Sequence, residues 1–497
     1  MAIYFKKDKI KEDPDLIKKI ARELVLNEGK IRFFKKAGPY IALPYFYGKM
    51  LLKYEDTDLS FEEILLKEEM GIDSSSVEQS GSEIESDEDL SLLLNLRSQH
   101  QKVEITGSYT LRPKQVPILT EAINILKNTG TVFLQAATGF GKSLALAHII
   151  TKLQYLAVLI FTQVKFVEQS AKTFKLRTNA IVWIADSKGK IPKNVQVIIT
   201  TPKRFKYIPE ELREKVGTFA IDEAPLICTP QGIDPILSLR PRYIIASSAT
   251  IKRRNGMHVM LDMICGPTKV IKGLDGPVRV IRWHTGIKVP FFKGAKGADW
   301  LEHIKFVVGC EKRNKMIAEA TKAIIMAGKE DVPGKRQNKL SSLIRKISNR
   351  SVHKMAIITN RADVYLDEMA ALIRDQGVTC DYLNAKKKNY QDSDVVMGVP
   401  QMLGIGFDAE LSALDYNGSA IDTSMPLIPS ATEELTIQEL GRACRVFDEP
   451  GDHEALFFIL IDNNAMSRKH ARTAERALNE LDDVKFFDYY GEEGDDD

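Results

Sequence analysis

The sequence predicts an α/β protein with two tandem parallel-sheet domains and a small N-terminal accessory domain. From about Thr106, short apolar segments typical of buried strands alternate with segments that have helical spacing. A second series of the same kind begins after Ile281. Strands that alternate with helices form parallel sheets covered by helices. Only the first series contains a glycine-rich loop between a strand and a helix.

Each series contains several recognisable elements. The predicted strands of the first series are Thr131–Gln135, Leu156–Phe161, Val195–Thr200, Thr218–Asp222 and Tyr243–Ser247. The predicted elements of the second series are helix Arg313–Ile325, strand Lys354–Thr359, helix Ala362–Arg374 and strands Asp394–Gly398 and Ala455–Ile461.

Changes in composition set the expected domain boundaries. The N-terminal part combines helical spacing in Asp15–Val25 with a strand-like segment at Tyr40–Tyr47. It is followed by a serine-rich and acidic stretch that is too polar to bury a core, which predicts a disordered linker. The expected boundaries are an accessory domain at 1–72, the linker at 73–104, α/β domains at 105–277 and 278–475, and an acidic tail at 476–497.

The overall composition is typical of a globular protein in a reducing compartment. Hydrophobic residues make up 44% of the chain and charged residues 28%. No apolar run approaches the ~18 residues that a membrane span needs, and the N-terminus lacks the apolar region of a signal peptide. The five cysteines lie far apart without a Cys-x-x-Cys pair, which argues against a disulfide framework or a zinc site. A cytoplasmic location is expected.

The net charge of +3 hides an asymmetry along the chain. The segment Asp73–Ser91 carries seven acids and no base, and Glu492–Asp497 carries five more acids. Setting those twelve acids aside, the rest of the chain carries about +15. Such a basic body suits a partner with a phosphate backbone, although charge alone slightly favours a solvated surface that has no partner.

The loop at 136–143, with the sequence Ala-Ala-Thr-Gly-Phe-Gly-Lys-Ser, is typical of phosphate binding. Glycines at 139 and 141 allow backbone N–H groups to close around phosphates, and the helix that follows adds its partial positive charge. Lys142 can then reach the β- and γ-phosphates, and the Ser143 hydroxyl can coordinate Mg²⁺.

Three further motifs follow the loop in order. Asp222 and Glu223 end a predicted strand, where the first would hold Mg²⁺ and the second would orient and deprotonate a water molecule. A Ser-Ala-Thr motif at 248–250 follows the next strand. In the second domain, a Gln-x-x-Gly-Arg-x-x-Arg motif at 438–445 is predicted on a helix, with Gln438, Arg442 and Arg445 on one face.

As a set and in this order, the motifs resemble superfamily 2 helicases over roughly residues 106–465. The resemblance implies two RecA-like domains with ATP between them and nucleic acid running across both. It assigns ATP contacts to Gln115, Ala136, Ala137, Thr138, Gly139, Phe140, Gly141, Lys142, Ser143 and Asp408. It assigns catalysis to Lys142, Glu223, Gln438, Arg442 and Arg445, coupling to Ser248 and Thr250, and nucleic-acid contacts to Thr162, Gln163, Thr201, Arg204, Arg253 and Gly404.

The segment Thr250–Gly256 narrows the resemblance to one branch. It is similar to the Thr-Pro-x-Arg-x-Asp-Gly segment of phage recombination helicases and of the transcript-release helicases of large DNA viruses. Ile251 and Asn255 depart from that pattern. Pro225 and Ile405 are further departures, because the family usually has His or Asp at the first position and threonine at the second.

These observations predict an ATP- and Mg²⁺-dependent DNA helicase or translocase of viral transcription or recombination type. The implied partners are DNA, with RNA as the alternative, and transcription-complex proteins; the chain is expected to be monomeric. Two other functions remain open at this point. One is an RNA-stimulated ATPase, and the other is a catalytically silent scaffold that binds nucleic acid.

Overall fold

The computed structural model divides the chain into two compact units, and each is described by itself. The first unit consists of Met1–Ala136 and Gly141–Lys272, and the second consists of Ala137–Phe140 and Gly273–Asp497. The structure describes residues 2–6, 14–26, 31–37, 40–48, 99–136, 140–187, 189–249, 259–273, 276–294, 297–327, 339–348, 354–361, 364–384, 386–387, 389–404, 413–415, 421–444 and 454–491.

The elements are numbered in chain order. The strands are β1 Ala2–Lys6, β2 Val25–Leu26, β3 Ile31–Arg32, β4 Lys35–Ala37, β5 Tyr40–Pro44, β6 Thr131–Ala136, β7 Ala157–Ile160, β8 Val182–Ile184, β9 Val197–Thr200, β10 Thr218–Asp222, β11 Tyr243–Ser248, β12 Lys269–Lys272, β13 Val278–Lys288, β14 Lys293–Gly294, β15 Gly297–Ala298, β16 Met355–Ile358, β17 Cys380–Leu383, β18 Val395–Gly398, β19 Thr423–Pro426, β20 Ala455–Asn463 and β21 Val484–Tyr490.

The helices are α1 Pro14–Leu24, α2 Gln115–Thr129, α3 Lys142–Leu153, α4 Val164–Arg177, α5 Glu210–Glu214, α6 Ala224–Ile227, α7 Ile233–Ser238, α8 Val259–Cys265, α9 Trp300–Gly309, α10 Glu311–Ala327, α11 Lys339–Ile347, α12 Val364–Asp375, α13 Glu433–Leu440 and α14 Ala465–Asn479. A 3₁₀ turn at Phe205–Tyr207 and a π-helical turn at Pro400–Gly404 complete the set.

The first unit is built on a seven-stranded parallel sheet in the order β12-β6-β11-β10-β7-β9-β8. All five strands predicted for this unit are present. Every residue of β7, β9 and β11 is buried, as expected of strands covered on both faces. The predicted α/β class with parallel sheets is therefore confirmed for this unit.

The second unit contains another seven-stranded parallel sheet, in the order β17-β18-β16-β19-β20-β13-β21. Its outer strand β21 pairs with β13 along its whole length, and Tyr489 packs against the fully buried Trp283. The folded chain therefore extends beyond residue 475, where the sequence predicts the start of the tail. The acidic residues on both sides of β21 concealed a strand whose aromatic side chains are partly buried.

The N-terminal elements belong to the first unit. Strands β1, β5 and β4 form an antiparallel sheet, and the Lys35 ammonium lies 2.5 Å from the Asp234 carboxylate on α7. Strand β5 ends at Pro44 and a helical turn follows at 45–48, so the strand predicted up to Tyr47 is too long. At the other predicted boundary, the N–H of Val103 donates to the carbonyl of Gln154, so the fold already includes the last linker residues.

Within the described residues, no helix is both long enough and apolar enough to cross a membrane.

Candidate active site

Several residues of the first unit that are predicted to act on ATP lie at one edge of its sheet, where the parallel strands end. Strands β6, β11 and β10 are neighbours in that order. Asp222 at the end of β10 is in register with Ser247 of β11, and Ser248 is in register with Gln135 of β6. The two carboxylates, the two serines and the start of the phosphate loop therefore share one edge. Ligands of open parallel sheets bind at this edge.

The phosphate loop requires glycine at position 141. Gly141 precedes α3 with φ +85°, a left-handed conformation that other residues rarely adopt. A Cβ atom there would also lie 2.9 Å from the Arg112 guanidinium and 3.0 Å from the Gln115 amide. Lys142 and Ser143 are the first residues of α3, whose N-terminus favours anions. Of the other predicted loop residues, Ala136 and Phe140 are buried, whereas Ala137, Thr138 and Gly139 lie outside the described residues.

Glu223 is held by two side chains. Its Oε1 lies 3.3 Å from the Lys142 Nζ, and its Oε2 accepts a hydrogen bond of 3.0 Å from the Ser248 hydroxyl. The Lys142 and Glu223 side chains are only 12% and 11% exposed. The serine predicted to couple ATP to movement thus contacts the predicted base directly.

Asp222 is oriented by Ser247, whose hydroxyl donates a hydrogen bond of 2.7 Å to Oδ1. Burial, reinforced by the charge of Glu223, raises the pKa of Asp222 to about 6. Lys142 and the Ser247 hydroxyl act in the opposite direction but do not offset this effect. Ser247 was not among the predicted site residues. The available signal was its position at the end of a buried strand, before the Ser-Ala-Thr motif.

The predicted adenine-reading residue lies beside the phosphate loop. Gln115 is buried, and its Oε1 accepts a 2.9 Å hydrogen bond from the N–H of Arg112. The N–H of Gln115 in turn donates to the carbonyl of Arg112 at 2.8 Å. The same segment is tied to α3, because the Tyr109 hydroxyl lies 2.9 Å from Nδ1 of His148. These contacts fix Gln115 close to Gly141.

The predicted nucleic-acid residues of the first unit continue along the same edge. Thr162 and Gln163 follow β7 and Thr201 follows β9, the two strands next to β10 on the side away from β6. Gln163 is exposed, and the buried Thr201 accepts through its carbonyl a hydrogen bond from the N–H of Arg204. Among the described residues, the buried Thr162 hydroxyl has no hydrogen-bond partner.

The predicted arginine motif is only partly helical, because Gln438 lies in a helix and Arg442 lies beyond its end. Helix α13 ends at Leu440, and the following backbone bonds join residues three apart, from the N–H of Arg442 to Glu439 and of Ala443 to Leu440. The backbone therefore turns more tightly than an α-helix after Gly441, and Arg442 does not occupy the position that α-helical spacing predicts. Arg442 is buried, and its Nε donates to the carbonyl of Gln438 at 3.3 Å. The prediction that the helix continues through Arg442 is therefore wrong, whereas Arg445 lies outside the described residues.

Glu439 is a buried carboxyl that the sequence did not single out. One carboxylate oxygen accepts a 2.8 Å hydrogen bond from Ser430, and the Glu439 carbonyl accepts another from Ser424. Burial raises the pKa of Glu439 to about 8, and the hydrogen bond from Ser430 acts in the opposite direction. The sequence signal for this site was a charged residue, Glu439, directly before the apolar Leu440 on the predicted helix.

One of the remaining predicted residues lies in the second unit, and the others lie outside the described residues. Gly404 is the last residue of the π-helical turn that follows β18, at the corresponding edge of the second sheet. Thr250, Arg253, Asp408 and Arg445 lie outside the described residues.

The Asp222 region fits the predicted Mg²⁺ by its chemistry. Carboxylate and hydroxyl oxygens, here those of Asp222 and Ser143, are the hard ligands that Mg²⁺ prefers. Burial, together with the charge of Glu223, raises the pKa of Asp222, and a bound divalent cation would favour its ionised form. Among the described residues, no group of three or more His, Cys, Asp or Glu side chains is arranged to hold a metal ion.

Comparison with known families identifies a match in this region. Residues 116–258 match the DEAD/DEAH box helicase family. The chain is 25% identical over 397 residues to Putative helicase 161L of Invertebrate iridescent virus 6, which covers 76% of this chain and 83% of the relative. It is 24% identical over 319 residues to Putative helicase 055L of Frog virus 3 (isolate Goorha), which covers 62% of this chain and 68% of the relative.

The fold is also similar to that of a solved structure. The ATP-dependent Type ISP restriction-modification enzyme LlaBIII bound to DNA matches with a TM-score of 0.51 and 12% identity. The match covers 78% of this chain but only 32% of that enzyme. The likeness shows a shared α/β fold and extends no further.

Proposed function

We propose that this chain is an ATP-dependent helicase of superfamily 2 that moves along DNA in viral transcription or recombination. Its relatives 161L and 055L come from iridescent virus 6 and frog virus 3, and the former matches across most of both chains. This origin supports a role in the nucleic-acid metabolism of a large DNA virus. The Thr250–Gly256 segment supports the transcript-release and recombination branch.

One observation carries the proposal for ATP hydrolysis. Lys142 and Ser248 hold the two oxygens of Glu223, while Ser247 holds Asp222, all at the sheet edge that the phosphate loop enters. A lysine, two carboxylates and a helix N-terminus in this order are the parts that phosphoryl transfer needs. A scaffold that had lost catalysis would have no need for such a network.

Each residue then has a distinct role. Lys142 binds the β- and γ-phosphates, and Gln115 contacts the base beside Gly141. Glu223 orients a water molecule and takes its proton, for which its fixed carboxylate is suited. Asp222 and Ser143 would hold Mg²⁺, which when bound would supply positive charge to the phosphates. We assign Gln438, Arg442 and Arg445 of the second unit to the hydrolysis step as well.

Nucleic acid is proposed to follow the carboxyl edge of the first sheet next to the ATP residues. Gln163 and Arg204 offer polar and charged groups there. Such groups contact phosphates and sugars more often than bases, so binding should depend little on sequence. Arg253 and Gly404 are proposed to contribute further backbone contacts.

The experiment that tests this proposal compares ATP hydrolysis with single-stranded DNA, duplex DNA and RNA side by side. We expect DNA to stimulate turnover more than RNA, and Lys142→Ala to show no turnover with any of them. Stronger stimulation by RNA would favour the RNA-stimulated ATPase. Absence of turnover in a wild-type chain that binds nucleic acid would favour the scaffold.

A further inference from the structure

The second unit presents a large aromatic ring to solvent at Phe291, between β13 and β14. Phe291 is 66% exposed, although phenylalanine is usually buried. The preceding residues are fixed, because the Asn464 amide donates to the carbonyl oxygens of Val289 at 3.0 Å and Pro290 at 3.2 Å. The backbone that enters Phe291 is therefore anchored to the start of α14.

The backbone that leaves Phe291 is anchored as well. The carbonyl of Phe292 accepts a 2.7 Å hydrogen bond from the N–H of Asp299, and the Phe292 ring packs 5.8 Å from that of Phe306. Beneath this segment, Ile287, Val289 and Ile304 belong to one buried apolar cluster. The exposure of Phe291 is thus imposed by contacts on both sides of it, and its ring cannot turn into the core without breaking them.

Phe291 lies at the carboxyl edge of the second sheet. Lys288 at the end of β13 is in register with Asn463 at the end of β20, and the Phe291 segment starts beyond them. The π-helical turn that ends at Gly404, a predicted nucleic-acid contact, follows β18 at the same edge. Four strand spacings of about 4.8 Å separate β18 from β13, a span that a strand of a few nucleotides can cover.

The charges around Phe291 favour a polyanion. Lys288 and Lys293 are exposed on either side of it. Arg468 also lies at this edge, where its guanidinium donates to the Asn463 side chain at 3.0 Å. The nearby acids are engaged, since Asp299 accepts hydrogen bonds from the first N–H groups of α9 and Glu302 pairs with Lys305 at 2.5 Å. An aromatic ring among cations is the composition of a surface that stacks nucleobases.

We propose that Phe291 stacks on the first unpaired base where a duplex opens and keeps the two strands apart. This assignment rests on the proposed function, because only movement along DNA delivers new base pairs to the ring. Stacking on Phe291 replaces the stacking that the base loses from its neighbour. The residue would thereby convert movement along one strand into separation of two.

The test uses the full chain on a forked DNA, with strand separation and single-stranded-DNA-stimulated ATP hydrolysis measured separately. Phe291→Ala and Phe291→Leu should slow strand separation by about fivefold or more, the loss of one stacking contact, while stimulated hydrolysis stays within about twofold. Phe291→Tyr, which keeps a ring, should separate strands like the wild type. Leu176→Ala is the matched control, since Leu176 is 62% exposed in the other unit.

A second measurement reports the contact itself. With 2-aminopurine placed at the first unpaired position of the fork, binding of the wild type should quench its fluorescence, and Phe291→Ala should not. Strand separation at the wild-type rate by Phe291→Ala would overturn the assignment. If Phe291→Ala lowered stimulated ATP hydrolysis as much as strand separation, the assignment would also be overturned, because Phe291 would then be needed for ATP hydrolysis itself. A wild-type chain whose ATP hydrolysis ignores nucleic acid would instead contradict the proposed function.

Discussion

Glu223 combines an unfavourable backbone conformation with a closely held side chain. Its φ and ψ of 48° and 50° lie in the left-handed region, which costs a non-glycine residue about 1 kcal/mol or more. The residue joins the end of β10 to α6, and its carboxylate contacts both Lys142 and Ser248. Strain of this kind persists where surrounding contacts determine the conformation, commonly at active sites. We infer that the turn aims the carboxylate into the site.

Glu223→Gln should bind ATP and nucleic acid but lower hydrolysis by about 10²–10⁴-fold, because the amide keeps the shape and loses the base. Single-turnover hydrolysis and nucleotide binding, measured on the same preparation, check this. Loss of ATP binding together with hydrolysis would show that the carboxylate serves mainly to hold Lys142.

Asp222→Asn should abolish Mg²⁺-dependent hydrolysis yet stabilise the protein without nucleotide at pH 8, by on the order of 1 kcal/mol in the free energy of unfolding. The Asp222 pKa rises from 3.8 in an ordinary environment to about 6 in the fold, so its ionised form destabilises the fold. This penalty is present above about pH 6 and disappears as the pH falls towards 3.8. The stability difference between variant and wild type, followed from pH 8 to 5, should therefore shrink. A constant difference would contradict the assigned pKa.

Among the elements, the central strands were predictable and several outer ones were not. β6, β7, β9, β10 and β11 are runs of apolar residues, and burial on both faces explains that composition. β8 and β12 are edge strands in each of which only one residue is buried, so they carry less of the buried-strand pattern. β19 is buried but reads Thr-Ser-Met-Pro, and its polar residues concealed it.

The site was predictable where it depends on local sequence and not where it depends on pairing between elements. The phosphate loop and Asp222–Glu223 carry their chemistry in consecutive residues. The role of Ser247 depends on its register beside Asp222 in the neighbouring strand, which the sequence does not show. The early end of α13 depends on the backbone path after Gly441, which helical spacing cannot reveal.

Strand β21 gives a prediction about where the folded chain ends. A chain that stops after Gly491 should keep the wild-type unfolding temperature, since all of β21 remains. A chain that stops after Asp483 should unfold at a lower temperature and aggregate, because it exposes the buried Trp283 and leaves β13 unpaired on one side. Thermal unfolding and size-exclusion chromatography of the two chains check this. Equal stability of both would contradict the assignment of β21 to the second sheet.

Across the described residues, each unit contains a seven-stranded parallel sheet, but the two units carry different candidate residues. The first has the phosphate loop, the carboxylates and their serines. The second has the Gln438 and Arg442 motif and the exposed Phe291. We propose a division of work in which the first unit binds ATP and the second contributes to its hydrolysis and to strand separation.

Arg445→Ala tests this division most directly, through the rate of ATP hydrolysis at saturating single-stranded DNA. Arginines that act on the transferred phosphate contribute about 10³–10⁵-fold to the rate by stabilising transition-state charge. Stimulated turnover should therefore collapse by about 10³-fold or more, while ATP affinity, set largely by the first unit, changes little. Arg472→Ala, an exposed arginine on α14, is the control and should hydrolyse like the wild type. Stimulated turnover within a few-fold of wild type in Arg445→Ala would contradict the participation of the second unit.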